Sequence, residues 1–174
     1  VTIPIGTATL VRNAANSRIY GVEAQARYSL PGGFGIAAGA AYNNAKYRKF
    51  PASQVYLQCL DFATCGANFG SFPVSSADSS GFQMQMAPKF TANINPTWSH
   101  ELARGEFQLS GAFYYTSSFY FDTSQQFRQS AYATLDLRAE WTDPSDRYTV
   151  AVYGKNVTSK RYLQQVIPNN FAIG

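Results

Sequence analysis

Apolar and polar residues alternate along six stretches of the chain, at about residues 17–30, 34–48, 88–100, 106–122, 131–142 and 148–157. A period of two marks a β-strand whose faces meet different surroundings. In the first stretch Tyr20, Val22, Ala24, Ala26, Tyr28 and Leu30 oppose Gly21, Glu23, Gln25 and Arg27. In the fourth, Phe107, Leu109, Gly111, Phe113 and Tyr115 oppose Gln108, Ser110, Ala112, Tyr114 and Thr116. The links alternate too: residues 31–33, 101–105 and 143–147 are short, while 49–87, 123–130 and everything after 158 are long. This pattern predicts an all-β fold, an antiparallel meander of about six transmembrane strands. Outer-membrane barrels set lipid against one face and the lumen against the other, with tight periplasmic turns and long surface loops.

The apolar face carries a second period. Tyr20 and Tyr28, Phe34 and Tyr42, Phe90 and Trp98, and Phe107 and Tyr115 are each eight positions apart. Eight strand residues, tilted by about 40°, climb about 20 Å, close to the height between the aromatic girdles of a membrane barrel. A soluble β-sandwich, the competing all-β reading, has no reason to repeat that spacing on four strands.

Composition agrees. Charged residues make up 14% of the 174 and aromatics 16%, against roughly 25% charged in soluble domains. Mean hydropathy is −0.22, and no apolar run approaches the ~18 residues of a membrane helix. The net charge of +4 comes from scattered basic residues, which argues against a nucleic-acid surface. The chain starts in mid-pattern at Val1 without a signal peptide, so it is expected to be an internal or C-terminal piece of something longer.

Like faces must meet across a turn, and this sets the expected register. Leu30 falls opposite Phe34 and Tyr28 opposite Ile36. The second hairpin is expected to set Trp98 against Phe107 and Phe90 against Tyr115, and the third Arg138 against Tyr153 and Asp136 against Lys155. An ion pair between Asp136 and Lys155 is expected, the alternative being two separately hydrated charges. The same alternation puts Glu23, Arg27, Lys89, Asp136, Arg138, Glu140 and Lys155 on the lumen-facing side. Pro96 lacks a backbone donor and a barrel has no edge strand to hide it; it lies near the short-turn end of its strand, where a bulge could absorb it.

No catalytic or metal constellation stands out. His100, the single histidine, lies near a short turn without a Ser or Asp partner and reads as a surface residue. Cys59 and Cys65 sit in the longest loop, separated by five residues. In an oxidising compartment they read as a small disulfide loop; free thiols or half a metal site are the alternatives. Residues Asp78-Ser79-Ser80-Gly81 form an acidic turn without the further carboxylates of a calcium loop. The Asn156-Val157-Thr158 sequon carries no weight in a bacterial envelope.

Three segments, in order, resemble the C-terminal part of the TonB-dependent outer-membrane receptors: Asn13 to Gln25 (NAANSRIYGVEAQ), Ala87 to Asn93 (APKFTAN) and Gly154 to Tyr162 (GKNVTSKRY). The resemblance covers essentially the whole chain except the long loops. It implies that residues 1–174 are a fragment of a 22-stranded barrel, with the plug domain, the TonB-contacting segment and the closing strand outside it. It implies TonB-energised uptake of a scarce nutrient (a siderophore, vitamin or carbohydrate) through the outer membrane of a Gram-negative bacterium. Partners would be outer-membrane lipid, the plug, TonB and the small-molecule nutrient; no cofactor, metal or enzymatic activity is expected. A passive porin or a barrel enzyme is the alternative. Glu23 and Arg27 would be wall contacts with the plug, the other reading being an acid and its activator. Ligand recognition would fall to the long loops, where Tyr56, Phe62, Phe69, Phe72, Phe82 and Phe127 are placed either to stack on a ligand or to pack the loops on themselves. The loop 49–87 holds only Lys49, Asp61 and Asp78 as charges, so substrate class stays open.

Overall fold

The computed structural model describes residues 2–5, 8–11, 16–56 and 74–166 of the chain. All of its regular elements are strands. In chain order they are β1 (Thr2–Ile5), β2 (Ala8–Val11), β3 (Asn16–Leu30), β4 (Phe34–Lys49), β5 (Ser53–Tyr56), β6 (Val74–Ala77), β7 (Phe90–Leu102), β8 (Gly105–Thr116), β9 (Phe119–Tyr120), β10 (Arg128–Gln129), β11 (Tyr132–Thr142) and β12 (Thr149–Gly154). Six of them, β3, β4, β7, β8, β11 and β12, form one antiparallel sheet in which sequence neighbours are spatial neighbours. The sheet is not closed, and β3 and β12 are its edges.

Among the described residues nothing packs on its apolar face. Ile36, Leu109 and Leu137 keep 40%, 41% and 48% of their surface exposed, which a second layer would have removed. The aromatic rows form across strands. Toward the short turns, Phe34 meets Trp98 at 6.0 Å between ring centres and Trp98 meets Phe107 edge-on at 6.3 Å, and Phe107 lies opposite Trp141. Toward the long loops, Tyr42 lies opposite Phe90, whose ring is 6.0 Å from that of Tyr115.

The first hairpin has the expected register, Leu30 opposite Phe34 and Tyr28 opposite Ile36. In the third, Arg138 lies opposite Tyr153 as expected. The second is slipped by two residues: Trp98 lies opposite Leu109, Ala92 opposite Tyr115, and His100 opposite Phe107. The slip follows from Leu102 pairing with Gly105. That leaves a two-residue turn, closed by Gly105 at φ +118°. Because the shift is even, every side chain keeps its face. His100 consequently stands on the apolar face, stacked on the Trp98 indole at 5.7 Å.

Pro96 causes no bulge. It pairs normally with Ile36 on the β4 side. On the β8 side the ladder skips Asn95 and Pro96 and resumes in the same register at Thr97. The residue facing Pro96 across that gap is Gly111, where a Cβ would sit 3.4 Å from the proline ring. A missing donor is thus absorbed by a missing side chain.

The short turn after β11 is closed by Asp143, whose carboxylate accepts from the Ser145 hydroxyl (2.5 Å), the Ser145 N–H (3.1 Å) and the Tyr148 N–H (2.6 Å). These bonds, the Ser145 hydroxyl first and then the Tyr148 N–H, hold the Asp143 pKa below its ordinary value. A lowered native pKa stabilises the turn above the unfolded carboxylate's value of about 3.9, and the effect disappears as pH falls through the native value. Hydrogen-exchange protection at Ser145 and Tyr148 is therefore expected to be intact at neutral pH and lost in acid. Protection factors indifferent to pH would show that something other than the carboxylate holds the turn.

Candidate functional site

The long loops are tied together at their bases. In the 49–87 loop, which the sequence pattern left without strands, β5 and β6 form a hairpin. Beneath it lie the buried Ala45, Tyr47, Phe50, Ser53 and Ser79. Ser53 donates its hydroxyl proton to the Ala77 carbonyl (3.0 Å), so the short 2.5 Å contact with Ser79 is filled by the Ser79 hydroxyl as donor. The Tyr47 and Phe50 rings meet at 5.1 Å. Asp78 makes the expected turn, accepting from the Ser80 N–H at 2.8 Å.

The second loop is organised by Asp122. Its carboxylate accepts from the Ser124 hydroxyl (2.5 Å) and from the N–H groups of Ser124, Gln126 and Phe127 (3.2, 3.1 and 2.8 Å). The loops also bond one another: the Met86 N–H donates to the Tyr120 carbonyl (2.8 Å) and the Leu163 N–H to the Gln129 side chain (2.8 Å). Phe82 and Phe127 are therefore held on a connected platform.

Below the platform the polar face carries a group that sequence reasoning missed. Tyr114 and Tyr132 stand on the polar side of β8 and β11, their rings 6.4 Å apart. Tyr162, from the segment after β12, stacks on Tyr132 at 4.4 Å with an interplanar angle of 3°. The available signal was two tyrosines at polar-face positions; nothing in the alternation indicated that Tyr162 would fold back onto them.

Further down, the charges are arranged differently from expectation. Asp136 makes no ion pair with Lys155: its Oδ1 accepts the Asn156 N–H at 2.7 Å. Asn156 has a φ of +46°, and its turn beyond the end of β12 brings the N–H to the carboxylate. Arg138 instead bonds Glu140 two residues along the same strand; such an exposed pair contributes ~0–1 kcal/mol. Glu23 accepts from the Gln25 amide at 2.6 Å. Between the aromatic rows, then, Glu23, Asp136 and Glu140 all have partners. Arg27 and Lys155 have none among the described residues, and Lys89, which offers its carbonyl to the Asn43 N–H, has none for its ammonium group. Two hollows lie on this face, one of about 330 Å³ bordered by Asp136, Arg138, Tyr153 and Lys155, the other of about 480 Å³ bordered by Gln25, Arg27 and Asn93.

Of the expected ligand-contacting aromatics, Phe82 is 37% exposed and Phe127 is half-buried. Tyr56 ends β5. Phe62, Phe69, Phe72, Cys59 and Cys65 lie outside the described residues. Among the described residues no group of three His, Cys, Asp or Glu side chains is close enough to hold a metal.

The family model described as TonB dependent receptor-like, beta-barrel matches residues 1–157. The fold is similar to that of the ferric yersiniabactin uptake receptor FyuA from Yersinia pestis, with a TM-score of 0.67, 20% identity, and 88% of this chain and 20% of that one covered. It is similar to the siderophore receptor PiuA from Acinetobacter baumannii, with a TM-score of 0.64, 19% identity, and coverage of 90% and 20%. It is also similar to BauA, the ferric preacinetobactin receptor of Acinetobacter baumannii, with a TM-score of 0.61, 19% identity, and coverage of 91% and 20%. The chain thus spans about a fifth of each of these structures. No curated protein matches it.

Proposed function

Since the chain belongs to the TonB-dependent receptors through their β-barrel, a family of outer-membrane transporters rather than enzymes, we propose that it is wall and surface loops of a receptor importing an iron-siderophore. In this reading the polar face lines the lumen and contacts the plug domain of the full-length chain. The long loops face the medium, and TonB supplies the energy through the part of the protein outside residues 1–174. The loop aromatics Tyr56, Phe62, Phe69, Phe72, Phe82 and Phe127 and the stacked Tyr114, Tyr132 and Tyr162 form the capture surface. Cys59 and Cys65 close the longest loop as a disulfide.

One observation carries the substrate class. Tyrosine rings at the loop end stand above a wall whose acids between the aromatic rows are occupied and whose Arg27 and Lys155 lack partners among the described residues. Aromatic faces above free cations suit an anionic chelate with planar metal-binding groups. The three solved structures of similar fold, a ferric yersiniabactin uptake receptor, a siderophore receptor and a ferric preacinetobactin receptor, point the same way.

Replacing Tyr132 by Ala in the full-length receptor removes a stacked ring worth ~0.5–1.5 kcal/mol, so ferric-chelate affinity is expected to fall about three- to tenfold. Uptake of labelled ferric chelate in cells lacking other receptors provides the measurement. Saturable uptake that collapses without TonB is the expected result. Unsaturable, TonB-independent passage of assorted small solutes would instead identify a porin.

A further inference from the structure

The apolar face bears one polar feature that barrel alternation does not require. Arg18 on β3 and Lys46 on β4 stand directly opposite each other, on the same face as Tyr20, Val22 and Tyr42. Like charges facing across an antiparallel pair repel. Among the described residues neither has a carboxylate within ion-pair distance, where the salt bridge found is Arg138–Glu140. A third cation joins them. The register shift at Asn16/Ser17 leaves Arg48 without a cross-strand partner, and Arg48 borders an open cavity of about 250 Å³ together with Arg18, Tyr20, Asn44 and Lys46.

The floor of this cavity is ordered. The Arg18 guanidinium lies 4.9 Å from the centre of the Tyr20 ring, and the Tyr20 hydroxyl accepts from the Asn44 side-chain amide at 2.8 Å. Arg18, Lys46 and Arg48 are all exposed. Three cations are therefore converged with no anion among the described residues to offset them.

We propose that Arg18, Lys46 and Arg48 bind the phosphate of an anionic lipid in the outer leaflet, clamped against the outside of the barrel. The cluster lies on the side opposite the polar face, so a solute crossing the lumen does not meet it. Arg18 and Lys46 stand two residues beyond Tyr20 and four beyond Tyr42 toward the long loops, which places them above the aromatic boundary, at headgroup depth. Acyl chains of the same lipid would descend over Val22 and its neighbours, while bidentate guanidinium–phosphate bonding holds the head. The assignment rests on the proposed orientation, with the long loops at the cell surface.

The test uses the full-length receptor, delipidated in neutral detergent and examined by native mass spectrometry. The probes are diphosphorylated lipid A, the same amphiphile stripped of phosphate, and inorganic phosphate. Wild type is expected to bind the phosphorylated lipid at least tenfold more tightly than the R18Q/K46Q/R48Q variant, with both binding the stripped lipid equally weakly. K46Q alone, the milder change should the triple variant fold poorly, is expected to lose about threefold, and K46R to restore binding. Equal retention of phosphorylated lipid by wild type and K46Q overturns the proposal. So does inorganic phosphate binding as tightly as the lipid, which would make this a soluble-anion site. Orientation is read separately, from an epitope inserted after Asn68: antibody binding only in permeabilised cells overturns the orientation whatever the lipid result.

Discussion

Leu137→Arg is expected to destabilise the barrel by about 2–4 kcal/mol, the cost of a cation on the lipid face near the bilayer midplane. Leu137 lies four residues from Ala133, opposite Tyr115 in the upper aromatic row, and four from Trp141, opposite Phe107 in the lower one. It is 48% exposed, with no protein layer for the new charge to disturb, so the penalty comes from the surroundings alone. Thr134→Arg supplies the control. Thr134 lies opposite Tyr114 on the polar face, where a hydrated guanidinium costs less than about 1 kcal/mol. Unfolding of the full-length receptor in bilayers, followed by denaturant titration, measures both. Equal costs for the two variants would mean that the apolar face does not meet acyl chains, and the membrane reading would fail with it.

The second large effect belongs to a backbone contact. Gly33 has φ +80°, and a Cβ there would lie 1.9 Å from the Ser99 carbonyl oxygen. The turn is pressed against β7: the Ser99 N–H donates to the Gly33 carbonyl (2.9 Å) and the Trp98 indole N–H to the Gly32 carbonyl (3.1 Å). The same arrangement recurs one hairpin on, with the Trp141 indole donating to the Arg104 carbonyl (3.1 Å) and a Cβ on Gly105 falling 2.0 Å from the Thr142 oxygen. Each lower-row indole thus docks the preceding turn onto its strand. Gly33→Ala combines about 1–2 kcal/mol of left-handed strain with loss of two hydrogen bonds at about 0.5–1.5 kcal/mol each, giving roughly 2–5 kcal/mol. Gly32→Ala is the discriminating partner. Gly32 shares the positive φ, but its Cβ would meet only the Phe34 ring at 3.8 Å, so the strain acts alone. Heat-resistant electrophoretic mobility of the folded barrel reports both variants. A Gly33→Ala variant no worse than Gly32→Ala would show that the turn is not docked.

How far the sequence reaches depends on what each feature requires. Alternation and aromatic spacing are local in origin, since each strand residue must suit its own side of the wall. The number of main strands, the two faces and the first and third registers could therefore be read directly. Loop strands β5, β6, β9 and β10 are four or two residues long, too short for a period to appear.

The second register shows where the pattern stops. A slip of two residues preserves every face, so hydrophobicity scores both registers alike, and only the closing of the Ala103-Arg104 turn on Gly105 selects one. Likewise, pairing parity set Asp136 against Lys155, but the backbone beyond β12 turned an N–H into the carboxylate first.

By itself the chain determined its strands, their facing and the level of its aromatic rows, because alternation records the surroundings residue by residue. Tertiary structure decided the loop platform, the Tyr114–Tyr132–Tyr162 stack and the convergence of Arg18, Lys46 and Arg48. Those groupings join residues whose separation along the chain carries no period, and only the ladder bonds and turns bring them within reach.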